Sequence, residues 1–248
     1  MDEFAMRREQ QAIRALLDER QPADALAVYY ALHHPRERTQ LFTHSGAAGR
    51  TDAYVALSRT GIDLFRPLLT LRLDESDPEG AADLIHRALP PEADVFIHSP
   101  VSYRPLLAAL FEIKAEQLLR LYRLDAARFE PVINVLVMRS DTPDGLPRYI
   151  IRPTSGMGAQ EIGASATLNW QSSRYAEVTV YTNPQYRQRG WGRSVVSALV
   201  QDLLESGKTP LYEVAPQNEA SVHLAEALGF TDTGADKLFL EARLRSRP

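Results

Sequence analysis

The 248-residue sequence contains no cysteine. Disulfide frameworks, iron–sulfur clusters, thiolate zinc sites and cysteine nucleophiles are therefore excluded, and a reducing, cytoplasmic location fits. No window approaches 18 uninterrupted apolar residues, so no membrane contact is expected. The opening MDEFAMRREQQAIR places acids before its bases and lacks an apolar stretch, so it is not expected to act as a signal peptide. An excess of positive charge is also missing. Lys and Arg number 28 against 32 Asp and Glu, a net charge of −4, which makes nucleic acid an unexpected partner. The six histidines include the adjacent pair His33 and His34, which cannot share a helix face at ligand spacing, and four scattered others, so no metal site is expected. What is present is ordinary: 44% apolar and 24% charged residues, as in a soluble globular protein. The length suits one large domain or two small ones, with enough chain to bury a core unaided.

Hydrophobic periodicity predicts an α/β chain. Helices are expected over 4–20, from Pro22 to about His33, over 79–89 and from about Tyr103. Strands are expected over 39–44, 52–58, 63–73 and 94–98, with an extended run at 117–124. In the second half, INVLVMR (133–139) reads as a strand, TPDG (142–145) as a turn and RYIIRP (148–153) as the hairpin partner. TSGMGAQ (154–160) reads as a loop, and 161–170 and 175–182 as strands. A long helix is expected over 191–206, with Val195, Val196, Leu199, Val200, Leu203 and Leu204 on its apolar face and Gly207 just past its end. A strand at 211–214, a helix at 219–228 and a closing strand at 237–244 complete the pattern.

A weak internal repeat runs through it. DVFIHSP (94–100), a helix, Phe111 and LLRLYRL (118–124) parallel LYEVAP (211–216), a helix, Phe230 and KLFLEARL (237–244). Chance similarity of two strand–helix–strand units is the alternative. The first copy has no glycine-rich loop, because SDPEGAADLI (76–85) holds one glycine and no basic residue.

The chemistry is concentrated in Glu177–Arg193, EVTVYTNPQYRQRGWGR. A strand runs into a loop bearing Arg187, Arg189, Gly190, Gly192 and Arg193, and the loop opens an amphipathic helix. A helix N-terminus offers unpaired N–H groups and a positive dipole end, and glycines let the backbone approach a phosphate. Together these features describe a pyrophosphate cradle. A Walker A loop fits badly, since lysine and the four-residue spacer are missing. A Rossmann fingerprint also fits badly, since Val195 stands where the third glycine belongs.

Arg187-x-x-Gly190-x-Gly192 resembles the coenzyme A loop of the GNAT N-acetyltransferase superfamily, and it lies between a strand and a long helix as that family requires. The stretch from Asn218 through Ser221, Leu224 and Leu228 to Gly229-Phe230 resembles the family's second motif. The resemblance covers about 130–245. It implies a mixed, splayed central sheet flanked by helices at 129–248, behind an N-terminal α/β domain at 1–128 that reads as a degenerate tandem copy. It further implies acetyl-CoA as co-substrate, no metal, and transfer of an acetyl or short acyl group to a primary amine of unspecified identity, by a monomer or homodimer. The rival readings are a non-catalytic acyl-CoA-binding module and a longer-chain or amino-acid N-acyltransferase.

By the same resemblance, Val180, Tyr181 and Thr182 pair with the pantetheine arm. Gln188, Arg189, Gly190, Trp191, Gly192, Arg193 and Ser194 hold the pyrophosphate, and Asn218 and Ser221 contact the coenzyme from the far side. Acyl transfer to an amine of pKa about 10.4 needs a proton acceptor, for which Glu177 is the expected base. The alternative is a solvated strand residue. Strand alternation puts Glu177, Thr179 and Tyr181 on one face. Ala225 stands where the family carries a tyrosine that protonates the leaving thiolate, so Tyr212 or water is the expected acid. A thiol leaving at pH 7 is only about 1.5 pK units, ~2 kcal/mol, from an adequate anion. Tyr181 and Tyr212 also admit plain packing roles, as do Trp170 and Trp191.

Overall fold

The computed structural model describes residues 3–46, 49–61, 63–153 and 161–247; the expected loop at 154–160 lies outside them. The chain divides into two units, Met1–Leu119 with Asp236–Pro248, and Arg120–Ala235. In chain order the first unit contains α1 (Glu3–Ile13), α2 (Ala25–Val28), β1 (Thr39–Ser45), β2 (Thr51–Ser58), β3 (Leu68–Arg72), α3 (Pro78–Ala88), β4 (Asp94–Pro100) and α4 (Arg104–Leu110). A long strand, β5 (Phe111–Leu124), crosses into the second unit. There follow β6 (Met138–Asp141), β7 (Pro147–Ile151), β8 (Ala164–Gln171), β9 (Tyr175–Thr182), α5 (Trp191–Glu205), β10 (Thr209–Val214) and α6 (Glu219–Ala227). A second long strand, β11 (Phe230–Leu244), returns to the first unit.

In the first unit the strand order is β1-β2-β3-β4-β11. Lys237–Arg243 of β11 run antiparallel to Asp94–Pro100 of β4. One face of this sheet packs Val55, Leu69, Leu71, Ile97 and Leu240 against Leu84, Ile85 and Leu107 of the helices, all buried. In the second unit the order is β5-β10-β9-β8-β7-β6. Here Arg120–Arg123 of β5 run antiparallel to Leu211–Val214 of β10. The closing strand of each repeat thus pairs with the central strand of the other repeat. The boundary expected at 128/129 follows the order of the sequence, whereas the two units interleave.

Helix α5 forms the core of the second unit. Its Val195, Val196, Leu199, Val200 and Leu203 are buried against β8, β9 and β10, each contributing about 2 kcal/mol. It ends where Gly207 takes φ +74°. The Lys208 N–H donates to the Leu203 carbonyl at 2.9 Å and that of Gly207 to Leu204 at 3.0 Å, a Schellman closure.

Three expectations need correction. The first helix stops as an α-helix at Ile13 and continues only as a short 3-10 turn. The strand expected at 63–73 starts only at Leu68: the Pro67 carbonyl accepts from the Phe96 N–H at 3.0 Å, but Pro67 has no N–H of its own to pair. Of the strand expected at 133–139, only Met138 and Arg139 belong to one. Val132 and Asn134 donate their N–H groups to the hydroxyls of Ser197 and Ser194 on α5, at 3.2 and 3.4 Å. Val135 and Val137 meanwhile pack on the core, so apolar alternation there marks a segment laid along a helix. No helix among the described residues is long and apolar enough to cross a membrane.

Candidate active site

β9 and β10 are parallel and share three register pairs, ending at Leu211↔Glu177. Beyond that point β9 continues to Thr182, held on its far side by β8 up to Ala164↔Thr182. β10 continues to Val214, held on its far side by β5 up to Val214↔Arg120. Among the described residues the facing edges of the two strands share no further pair. The main-chain groups of 178–182 that point across the gap form an open strand edge, and exposure rises along it until Tyr181 is 53% exposed. Tyr181 is therefore not a packing residue.

The loop after β9 is built for close approach. Asn183 donates its N–H to the Gly163 carbonyl at 2.9 Å, and its side chain accepts from the Gln185 N–H. The Tyr186 and Trp191 rings stack at 4.9 Å, with the Arg189 guanidinium 5.3 Å from the Tyr186 ring. Gly163 is the seat for this stack: a Cβ there would lie 2.3 Å from the Trp191 ring. Trp191 therefore holds the helix start in place by packing. Gln188 and Gly190 take φ of +61° and +75°, turning successive N–H groups toward the helix N-terminus, and no side chain caps α5. Its first-turn amides are left for a ligand. A Cβ on Gly192 would lie 2.9 Å from the Thr182 hydroxyl and 3.8 Å from Leu224 on α6, so the open edge and the helix N-terminus meet there.

Not every residue assigned to the cradle faces it. Ser194 is 1% exposed; its hydroxyl donates to the Gly190 carbonyl at 3.2 Å. Arg193 donates to the Ala227 carbonyl at 3.1 Å, satisfying the C-terminal end of α6. Both groups organise the helix rather than offer themselves to an anion. The backbone of 190–193 lies at the uncapped start of α5, with Arg187 and Arg189 exposed beside it. Asn218 is the N-cap of α6, its side chain accepting from the Ser221 N–H at 3.3 Å.

Glu177 is 6% exposed and is not a solvated strand residue. It stands at the last pair before β9 and β10 part. The Asn169 side-chain amide donates to its Oε1 at 2.8 Å, and the Trp170 indole N–H donates to its Oε2. Both donors reach one carboxylate because a register shift in β8 between Leu168 and Trp170 leaves Asn169 as an extra residue. Burial, and secondarily the charge of Glu213, push Glu177 up to about 8; the two hydrogen bonds act in the opposite sense. Asn169, Trp170 and Glu213 join the site without having been assigned to it from the sequence. A carboxylate among the apolar residues of LYEV was the available signal for Glu213, whereas the bulge has no sequence signature.

Tyr212 and Glu177 are not brought together. Register places Tyr212 on the opposite face, packed with Val178 and Val214 under α6. Its ring lies 5.8 Å from Phe230, and burial raises its hydroxyl pKa, while a hydrogen bond with Ser221 acts the other way. Ala225 is 1% exposed in the same cluster.

The first unit contains the corresponding geometry in closed form. β3 and β4 pair in parallel from Leu68↔Phe96 to Thr70↔His98 and then stop. There the Tyr103 hydroxyl donates to the Leu73 carbonyl at 3.1 Å and accepts from the Leu73 N–H at 3.0 Å. The Asp77 carboxylate caps α3 by accepting from Gly80 at 2.9 Å. Side chains of the chain itself thus occupy both the strand edge and the helix N-terminus.

A parting parallel pair followed by an uncapped, glycine-lined helix start agrees with the family comparison, in which residues 158–239 match the model described as GNAT acetyltransferase. Residues 158–239 carry a GNAT acetyltransferase domain. The chain is also similar to the L-amino acid N-acyltransferase MnaT of Escherichia coli, 36% identical over 58 residues, 23% of this chain and 34% of that enzyme. The chain thus spans about a third of the length of the curated relative it matches. Similarity of fold extends beyond the GNAT domain. A Drosophila protein structure covers 98% of this chain and 97% of its own, at 12% identity and TM-score 0.66. A tandem GNAT protein from the clavulanic acid biosynthesis pathway covers 98% and 95%, at 14% identity and TM-score 0.59. The fold is α/β with GNAT architecture along the chain.

Proposed function

We propose that the chain is an N-acyltransferase that takes an acetyl or other short acyl group from acyl-CoA and places it on a primary amine, with both substrates bound together. The observation that carries this reading is the open edge of β9 running from Glu177 to the uncapped N-terminus of α5. An extended amide-bearing chain can pair with such an edge as an added strand. A diphosphate at its end meets the amides of 190–193, with the Arg187 and Arg189 charges nearby. That geometry aims a thioester at the point where β9 and β10 part.

The amine nitrogen attacks the thioester carbonyl; a C–N bond forms and the C–S bond breaks. The nitrogen's proton passes to Glu177, directly or through water, and the thiolate leaves. An ordinary carboxylate lies about 6 pK units below an alkyl ammonium; Glu177 at about 8 narrows the gap to roughly 2.4. The N–H near Val180 stabilises the oxyanion. Tyr212, kept protonated by burial, is the protein group next to Ser221 and Ala225 that can return a proton to the thiolate. The first unit is read as a copy of the same fold whose coenzyme position is closed by Tyr103 and Asp77.

Calorimetry with acetyl-CoA and longer acyl-CoA donors, followed by turnover on a panel of polyamines, antibiotics, peptide lysines and free amino acids, tests the proposal. Free amino acids are included because MnaT is named for acylating them. Binding with product on one amine class is expected. Absence of acyl-CoA binding overturns the reading. Binding without turnover on any amine favours a non-catalytic acyl-CoA module, the alternative for which buried Ala225 speaks.

A further inference from the structure

Glu177 and Glu213 occupy neighbouring strands of the GNAT domain. Leu211 is the register partner of Glu177, and Glu213 lies two residues further along β10, on the same face. The two carboxyl groups therefore flank the start of the open gap. The other titratable groups on that face are Tyr175 and Tyr181 on β9 and Arg123 on β5, the register partner of Leu211. β8 contributes only the neutral donors Asn169 and Trp170 to Glu177. Arg123 is exposed, and the one charge acting appreciably on Glu177 is that of Glu213. A carboxylate buried beside a second carboxylate, with neutral donors at its oxygens, favours sharing a proton over two full charges.

We propose that Glu213 is a positioning residue for Glu177: the two carboxyl groups hold one proton between them where β9 and β10 part, and the charge on Glu213 makes Glu177 a stronger base than a lone glutamate. Asn169 and Trp170 fix which oxygens of Glu177 are engaged, while the neighbouring carboxylate sets how strongly the group holds a proton. The pair first gives its proton to solvent; when the acceptor amine then gives up its own, Glu177 takes it and the pair returns to its singly protonated state. No other bond changes in this step. The role rests on Glu177 acting as the base, but proton sharing can be measured without any turnover.

The Trp170 indole touches Glu177 and is one of only two tryptophans, so it reports the titration. In a Trp191→Phe background, Trp170 emission is followed from pH 4 to 10, with folding checked by circular dichroism. The expected midpoint is near 8, and Glu177→Gln removes the transition. Glu213→Gln is expected to lower the midpoint by at least one unit, a tenfold loss of proton affinity, while Glu213→Asp keeps most of the shift. An unchanged midpoint in folded Glu213→Gln overturns the proposal. Should that variant not fold, carboxyl carbon resonances of the unaltered protein decide: shared two-step titration of Glu177 and Glu213 supports it, and independent single steps overturn it. An intact Trp170 shift in a protein that acylates no amine leaves the shared proton standing and removes the transferase reading instead. Where turnover exists, the acidic limb of kcat/KM is expected to shift downward with Glu213→Gln and to recover with Glu213→Asp.

Discussion

The resemblance and the amine's need for a proton acceptor single out Glu177, but its environment is not readable from the sequence. The sequence shows a glutamate between an alanine and a valine, and both a catalytic and a solvated reading fit that pattern. Burial against Trp170 and Asn169 removes the solvated reading, and it depends on a bulge in β8 that has no periodic signature. Glu177→Gln is expected to lower turnover by about 10²–10⁴-fold and to leave acyl-CoA affinity within about twofold, since the side chain lies away from the anion-facing loop. Parallel kinetics and calorimetry check this, and turnover at the unaltered rate removes Glu177 from the chemistry. The same residue makes stability depend on pH. Its proton affinity is higher in the folded chain than the ordinary 4.5, so the folded state binds the extra proton between about 4.5 and about 8. Stability from this group is fully present below that window and is lost as pH rises through it. Melting temperatures measured across pH 5 to 9 are expected to fall toward alkaline pH in the unaltered protein and to flatten in Glu177→Gln. Tyr212→Phe is expected to cost about tenfold in turnover at most, because a thiolate needs little help in leaving. No change across the pH range leaves the tyrosine a packing residue beside Phe230.

At the scale of elements, sequence reading succeeded where one physical rule dominates. α5 showed itself through a sustained helical period and a glycine at the C′ position, and the loop before it through glycines and arginines at fixed offsets. It failed where tertiary partners replace the local ladder. The segment 133–137 alternates like a strand, but two of its neighbouring N–H groups are taken by serine hydroxyls on α5. β11 starts at Phe230, well before the expected 237, because it lies next to β5 in the sheet order, and Thr231 and Thr233 add hydroxyl bonds to the Arg123 and Leu121 carbonyls. The loop also admits a direct test. A side chain at Gly192 must occupy the space between Thr182 and Leu224 that brings the strand edge and the helix start together. Gly192→Val is expected to weaken acyl-CoA binding by tenfold or more, about 1.4 kcal/mol, with only a small drop in melting temperature. Affinity equal to that of the unaltered protein would mean that the cradle lies elsewhere.

At the scale of the whole molecule the internal repeat was legible, but the exchange of strands between its copies was not. Two strand–helix–strand units in sequence suggest two domains cut near 128/129, each closed by its own last strand. Instead, Arg120–Arg123 complete the sheet of the second unit, and Lys237–Arg243 complete that of the first. The second closure is fixed by a paired contact, with Arg243 donating Nε and Nη2 to the two Asp94 carboxylate oxygens at 3.0 and 2.9 Å. The pattern of alternating apolar residues is the same whichever sheet a strand joins, so periodicity carries no information on the exchange. A cut at 128/129 therefore removes the strand at one end of each unit's order. Fragment 1–128 loses the strand that pairs with β4 and buries Leu238, Leu240 and Ala242. Fragment 129–248 loses Tyr122 and Leu124 from its core and leaves 237–244 without its sheet. Each loss removes several buried side chains, each contributing about 2 kcal/mol, and exposes a strand edge that invites aggregation. Each fragment expressed alone is expected to be insoluble or to lack a cooperative thermal transition. Co-expressed, the two are expected to copurify at one to one, because each carries the strand that the other lacks. A soluble, cooperatively melting 129–248 would show that the GNAT domain can close on its own last strand, and the interleaving would then be dispensable for folding.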